Sequence, residues 1–288
     1  MSLARAVSMS LALTALLGPS RLHAQYQQPW VGGGIDSRQV TGQDQVLVAQ
    51  GSAISVPAAR RQPSVVAPTK FTIRIENISR GEVLKLSNGK SAPFVSAPVL
   101  WVIHNGTSNP LFTGGKPDAG KGLEVLAETG NPTGLIKSLS GRSGIIAAGA
   151  DAKPVDASAE GPITPGQSYE FEIEAQPGQT LSTAWMFGQS NDLFYSNERP
   201  IMLFDAAGKP VSGDMTAQLL LWDAGTEVNE EPGLGPNQGP RQTTPDAGVV
   251  EHEGIDHVHD RYTYPRTADV LRMTITPTKD ALSKMSQM

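Results

Sequence analysis

Three acidic residues that follow predicted strands have the types and the spacing to hold a metal ion. Asp192 comes after an apolar strand at 180–187, and Asp223 and Glu227 come after another. If a strand at 200–204 runs between them in the opposite direction, both loops lie at the same end of the sheet and the carboxylates come together. Carboxylates this close repel one another unless a cation lies between them. Oxygen-only ligands on loops suit Ca²⁺ better than zinc or copper.

The loop that carries Asp223 contains Gly225, which permits a sharp turn that brings Glu227 back toward Asp223. The same spacing fits an ordinary acidic turn, in which Asp223 caps a bend after Trp222. Spacing alone leaves both interpretations open.

A second group of potential ligands is crowded into residues 252–260, where three histidines follow the pattern HxxxxHxH. His257 and His259 would ligate a transition metal, with His252 or Asp260 completing the site. However, residues 223–260 hold nine carboxylates against the single cation Arg241. A solvated acidic loop explains that composition equally well.

Motifs of the common enzyme classes are absent from the sequence. The segments at 141–144 (GRSG) and 188–192 (GQSND) both miss the GxSxG spacing of a nucleophile elbow. No phosphate-binding loop, dinucleotide motif, HExxH pair or EF-hand loop occurs. The absence of cysteine removes thiol nucleophiles and thiolate zinc sites. We therefore expect a binding module and not an enzyme.

The first residues predict export. Arg5 precedes an apolar stretch at 6–17, and Ala24 offers a small residue for cleavage. The stretch is shorter than the roughly 20 residues that a membrane-spanning helix needs, and no later segment qualifies. We expect a signal peptide at 1–24, a secreted or periplasmic protein that begins at Gln25, and no integral membrane segment after cleavage.

The mature chain is predicted to be acidic. The whole sequence has 23 basic and 28 acidic residues, and loss of Arg5 and Arg21 takes the net charge from −5 to −7. Nucleic acids and anionic membranes would require a basic face. We therefore expect an extracellular protein or a surface polymer as the partner, of unknown identity.

The elements that position these loops are predicted to be strands. Apolar residues alternate with polar ones at 71–76 and 169–174, whereas 98–104 is a near-continuous apolar run typical of a strand covered on both faces. The Pro-Gly turn at 177–178 predicts a hairpin between 169–174 and the strand at 180–187.

Short strands and turns predominate, and helical spacing at 122–129 and 132–139 predicts two short inserted helices. The predicted fold is an all-β antiparallel sandwich with a short helical insertion. It occupies residues 69–277, between a flexible leader at 25–68 and a C-terminal tail at 278–288. The leader has too little apolar surface to offset its ordering entropy, and a docked edge strand within it is the alternative.

The same segments resemble the spondin N-terminal domain, which occurs in F-spondin and mindin of animals and in many bacterial exported proteins. The similarity lies in 71–77 (FTIRIEN), 189–192 (QSND) and above all 221–227 (LWDAGTE), where WDAGT[DE] is a fairly specific string. It covers about 69–277, and parts of 229–242 are similar to the bacterial branch. The resemblance implies a C2-like β-sandwich with Ca²⁺ held by acidic loops at one end.

By position, the resemblance assigns Asp192, Asp223 and Glu227 as Ca²⁺ ligands, and it implies a role in extracellular binding or adhesion. Glu227 stands where the animal domains have Asp, and the chain lacks the cysteines that those domains carry. We expect a Ca²⁺-dependent extracellular or periplasmic binding module. The alternatives are a structural domain in which Ca²⁺ only fixes loops, and a hydrolase with an unrecognised acidic site.

Overall fold

The computed structural model of the protein describes residues 67–239 and 241–278. The predicted signal peptide lies outside the described residues. So do the predicted leader, apart from residues 67 and 68, and the predicted tail beyond residue 278. Within the described part, no helix has the length and apolar character needed to cross a membrane.

The described residues form short strands and three short helices. The strands, in chain order, are β1 (Thr69–Asn77), β2 (Leu84–Lys85), β3 (Ser91–Ala92), β4 (Val99–His104), β5 (Ile145–Asp151), β6 (Ser168–Ala175), β7 (Thr180–Met186), β8 (Leu193–Asn197), β9 (Ile201–Met202), β10 (Gly213–Asp214), β11 (Leu219–Asp223), β12 (Asp256–His257) and β13 (Leu271–Pro277). The helices are α1 (Leu123–Thr129), α2 (Thr133–Leu139) and α3 (Thr267–Val270), and a 3-10 turn covers Thr216–Gln218.

Two antiparallel sheets form a sandwich. The smaller sheet has the order β10-β13-β1-β6, and the larger has the order β12-β11-β8-β7-β4-β5 with β9 paired to β7 off this path. The short strands β2 and β3 pair with each other. The predicted all-β antiparallel fold is therefore confirmed, and so is the helical insertion, because α1 and α2 lie between β4 and β5 in the chain.

The main core lies between the two sheets. The period-2 alternation of β1 turns Phe71, Ile73 and Ile75 inward, where they share one cluster with Trp185 of β7 and Tyr195 of β8. All five side chains are fully buried. Charged outward residues of β1 and its neighbours form cross-strand ion pairs on the open face of the sheet. Burial of the inner face, and not these exposed pairs, therefore supplies most of the stability.

A second core covers the opposite face of the larger sheet. Leu123 and Leu126 of α1 and Leu135 of α2 pack with Leu100 and Val102 of β4. Because the larger sheet is covered on both faces, β7 is buried along its whole length and residues 98–104 form a nearly continuous apolar run. The prediction that this run is covered on both faces is confirmed.

The predicted hairpin between 169–174 and 180–187 is wrong. β6 pairs with β1 in the smaller sheet, whereas β7 pairs with β4 and β8 in the larger one. The turn at 177–178 thus carries the chain from one sheet to the other. The physical reason is burial, since β6 alternates buried residues with exposed glutamates and suits a sheet open to solvent. β7 is apolar or small throughout and suits a sheet covered on both faces.

One buried amide links β1 to the segments around it. The Asn77 side chain is 1% exposed, and its Nδ2 donates to the carbonyl oxygens of Phe94 (3.0 Å) and Ile163 (3.2 Å). Its Oδ1 accepts hydrogen bonds from the backbone N–H and the hydroxyl of Ser79.

Asn77→Ala should destabilise the domain, because it removes both hydrogen bonds that Nδ2 donates and leaves the buried N–H and hydroxyl of Ser79 without their acceptor. We expect a loss of about 1–3 kcal/mol, or a fall in Tm of several degrees. Asn105→Ala is the control, since Asn105 is exposed. Thermal unfolding of both variants measures the difference, and equal melting temperatures would contradict a structural role for the Asn77 amide.

Candidate metal centre

The loops that carry Asp192 and Asp223 lie side by side at one end of the larger sheet. β8 reverses the chain between β7 and β11 and pairs with both, and its register places Leu193 opposite Asp223. The predicted convergence of the two loops is confirmed. The reversing strand is nevertheless β8 and not 200–204, where the strand β9 is only two residues long.

Trp222 fixes the point at which Asp223 leaves the sheet. Its indole Nε1 donates to the carbonyl oxygen of Ser196 at 3.2 Å. Its ring contacts the rings of Phe112 and His257, with centroid separations of 4.8 and 4.3 Å. The end of β11 is thereby anchored in the core beneath the helices.

The Asp192 carboxylate is buried and holds the neighbouring loop through one of its two oxygens. Oδ2 accepts hydrogen bonds from the backbone N–H groups of Thr226 and Glu227, both at 3.0 Å, and from the Thr226 hydroxyl at 3.1 Å. Oδ1 is buried and has no hydrogen-bond partner. Burial, and then repulsion from Asp223, raise the pKa of Asp192 to about 8. A cation or a proton at Oδ1 would relieve this unfavourable burial.

Gly225 allows the second loop to turn back over Asp192, whereas the sequence predicted that this turn brings Glu227 toward Asp223. Its φ is +68°, a left-handed conformation that L side chains rarely adopt. A Cβ at this position would lie 2.9 Å from the carbonyl oxygen of Glu253, so the site also has no space for one.

Asp223 lies between Asp192 and an open cleft. Its Oδ1 accepts from the backbone N–H of Gly225 at 2.8 Å, and its Oδ2 accepts from the side-chain amide of Asn229. The amide oxygen of Asn229 is buried without a partner. Partial burial raises the pKa of Asp223. A negative charge is therefore disfavoured on both aspartates at this end of the sandwich.

The Glu227 carboxylate has different neighbours. Its Oε1 accepts from the backbone N–H of Gly248 at 2.7 Å, and its Oε2 is buried without a partner. A Cβ at position 248 would lie 2.4 Å from Oε2, so any side chain there would displace the Glu227 carboxylate. Glu227 thus contacts Asp192 through its backbone N–H, while its carboxylate faces the loop at 246–248.

Three other acidic residues form the tightest carboxylate group in the described part of the chain. One oxygen from each of Glu124, Glu128 and Asp246 lies within 4.8 Å of the other two, a spacing that the three predicted ligands do not share. The sequence carries a partial signal for this group, since Glu124 and Glu128 are four residues apart on a predicted helix. Nothing in the sequence marks Asp246 as their neighbour.

The predicted histidine site is only partly assembled. β12 pairs with the end of β11 and closes a cleft of about 640 Å³ whose lining includes His257 and His259 but not His252. Most of its charged lining is acidic: Asp223, Glu251, Glu253, Asp256 and Asp260. Among the described residues, no histidine belongs to a group of three closely spaced ligand atoms. This geometry favours the solvated acidic loop over a transition-metal site.

Comparisons with protein-family models and with curated proteins find no match to this chain.

The raised pKa of Asp192 predicts how stability depends on pH when divalent cations are chelated. The pKa of an aspartate in an unfolded chain is about 3.9, so the folded protein keeps a proton that the unfolded chain releases. The free energy of unfolding should therefore fall as the pH rises from about 4 toward the folded pKa of about 8. Asp192→Asn cannot ionise and lacks this contribution. As the pH rises through this range, the free energy of unfolding of the variant should increase relative to that of wild type by up to about 1.4 kcal/mol per pH unit.

Denaturant unfolding at several pH values measures this difference. Asp205→Asn is the matched control, because Asp205 is an exposed carboxylate that also accepts two backbone N–H groups, both at 2.9 Å. The control should follow the wild type. Parallel pH curves for wild type and Asp192→Asn would contradict the burial of a protonated carboxyl.

Proposed function

We propose that this chain is an exported Ca²⁺-binding module of the spondin N-terminal type, which binds an extracellular protein or a surface polymer and catalyses no reaction. The observation that carries the proposal is a pair of buried carboxylate oxygens without partners, Asp192 Oδ1 and Glu227 Oε2. They belong to two loops that meet at one end of the sandwich. The resemblance in 221–227 supports the same ligands.

The donor set of these loops fits a hard cation. Asp192, Asp223 and Glu227 offer carboxylate oxygens, and the amide oxygen of Asn229 is buried beside them without a partner. Ca²⁺ takes roughly six to eight oxygen ligands and accepts carboxylate, amide and backbone oxygens. Bound Ca²⁺ would supply the positive charge that these buried groups lack. Because the Glu227 carboxylate faces Gly248, its recruitment to Asp192 requires the side chain to rotate.

The acidic cleft beside Asp223 is the surface that we propose for the partner. Its carboxylates surround a volume of about 640 Å³ that opens next to the metal loops. A cleft of one charge sign attracts groups of the opposite sign and repels polyanions. Partners that present basic groups suit it best, and Ca²⁺ at its edge would fix the loops that form its wall.

Ca²⁺ should stabilise the chelator-stripped protein. A ligand that binds only the native state stabilises it by RT ln(1 + [L]/Kd). Extracellular Ca²⁺ modules have Kd values of roughly 10⁻⁴–10⁻³ M, so millimolar Ca²⁺ should add on the order of 1 kcal/mol and raise the Tm by a few degrees. Asp223→Asn should lose this contribution while the metal-free fold persists, because the change also relieves repulsion between carboxylates.

Calorimetry and thermal unfolding with Ca²⁺ or Mg²⁺ measure these effects. Mg²⁺ should substitute poorly, since it prefers a tighter octahedral shell. Replacement of His259, which is exposed and lines the cleft, is the control and should leave the Ca²⁺ response unchanged. A response in Asp223→Asn equal to that of wild type would remove Asp223 from the site.

A partner screen separates a binding module from a purely structural domain. The immobilised mature protein is exposed to basic extracellular proteins and to surface polysaccharides, with Ca²⁺ or with chelator. Binding that is lost with chelator and in Asp223→Asn supports the module. The polyanion heparin should not bind in either condition. Partner binding that is equally strong with Ca²⁺ and with chelator would assign Ca²⁺ a structural role alone.

A further inference from the structure

Glu124, Glu128 and Asp246 join the helical insertion to the loop at 241–248. Glu124 and Glu128 are one helical turn apart on α1 and share a face of the helix. Asp246 comes from the loop, and its backbone N–H donates to Glu128 Oε2 at 2.9 Å. The Gln242 amide donates to the Glu128 carbonyl oxygen at 3.0 Å. The loop is thus held against the helix through Glu128, with three carboxylates at the junction.

The buried side chain of Glu128 independently indicates a ligand at the junction of α1 and this loop. Its side chain is 0% exposed, and yet its Oε1 has no hydrogen-bond partner. The charged groups that act on it are all carboxylates, from Glu227, Asp246 and Glu124. A buried carboxylate oxygen without a hydrogen bond or a counter-charge is costly. A cation at this junction would give the Glu128 oxygen a partner and would oppose the charges of all three carboxylates.

The separations between the oxygens suit one bound ion. Ca²⁺ holds its oxygen ligands at about 2.3–2.6 Å, so two ligands of one ion lie at most about 4.6–5.2 Å apart. The three oxygens here lie within 4.8 Å of one another. A single shared proton would join two carboxylates through a short bond of about 2.5–2.7 Å and would leave the third charge unopposed.

We propose that Glu124, Glu128 and Asp246 form a second divalent-cation site, occupied by Ca²⁺, that ties the loop at 241–248 to α1. The site uses none of the residues proposed above as Ca²⁺ ligands and stands independently of that function. Glu227 lies between the two sites, since its carboxylate accepts from Gly248 of the same loop.

The test counts Ca²⁺ ions bound to the mature, chelator-stripped chain by isothermal titration calorimetry. The diagnostic variant is Glu124→Gln/Asp246→Asn. Gln keeps the helix propensity of Glu, and Asn tolerates the left-handed backbone at Asp246, where φ is 55°. Wild type should bind two Ca²⁺ and this variant one. Its affinity at the altered site should fall at least roughly ten- to a hundredfold. Glu174→Gln, an exposed change on β6 in the other sheet, is the control.

Amide hydrogen exchange gives a second readout. Ca²⁺ should slow exchange of the Asp246 N–H in wild type and in Asp223→Asn, but not in the double variant. Full Ca²⁺ stoichiometry in the double variant would overturn the second site, as would complete loss of binding in Asp223→Asn alone. Binding that survives Asp223→Asn and vanishes in the double variant upholds this site and refutes the Asp192–Asp223 site instead. No Ca²⁺ uptake by wild type refutes both.

Discussion

The larger sheet is apolar on both faces, and the rest of the structure follows from the need to cover them. The smaller sheet covers one face and the helical insertion covers the other. Close packing of the helices requires Gly122, where a Cβ would lie 2.6 Å from the backbone N of Leu135. Once α1 is placed against β4 and β7, its acidic face lies beside the loops at the end of the sheet. The packing that covers the sheet with α1 therefore also places the acidic residues of α1 at the end of the sheet.

That acidic end has an unusual electrostatic balance. Asp192, Glu128 and Glu227 are almost fully buried, and each keeps one carboxylate oxygen without a partner. Backbone N–H groups satisfy the other oxygens, so the loops are held in place by the groups whose charges disfavour burial. An added cation or proton therefore acts on loop geometry and on charge together. For this reason, cation binding at either candidate site is expected to change the stability of the fold.

The sequence predicts the fold better than it predicts the site. Period-2 alternation and long apolar runs identify the main strands, because each pattern reports directly on which faces are buried. β8 is not predicted, since five residues ending in Ser196-Asn197 resemble a loop. The false hairpin at 177–178 arose because a turn motif fixes local geometry but not which sheet receives the next strand. The convergence of Asp192 with Asp223 could be inferred from strand direction. The meeting of Asp246 with α1 could not, because it depends on a loop without local pattern.

The position of β1 has a consequence for how the chain acquires its structure. β1 is hydrogen-bonded on one side to β6 and on the other to β13, and the facing residues Glu76 and Arg272 are 196 positions apart. The smaller sheet is therefore incomplete until residues 271–277 have been synthesised. Pairings of such long range slow folding, since the loop must close before its contacts form. Until β13 arrives, the free edge of β1 can pair with other chains, so a C-terminal truncation converts this domain into an aggregation hazard.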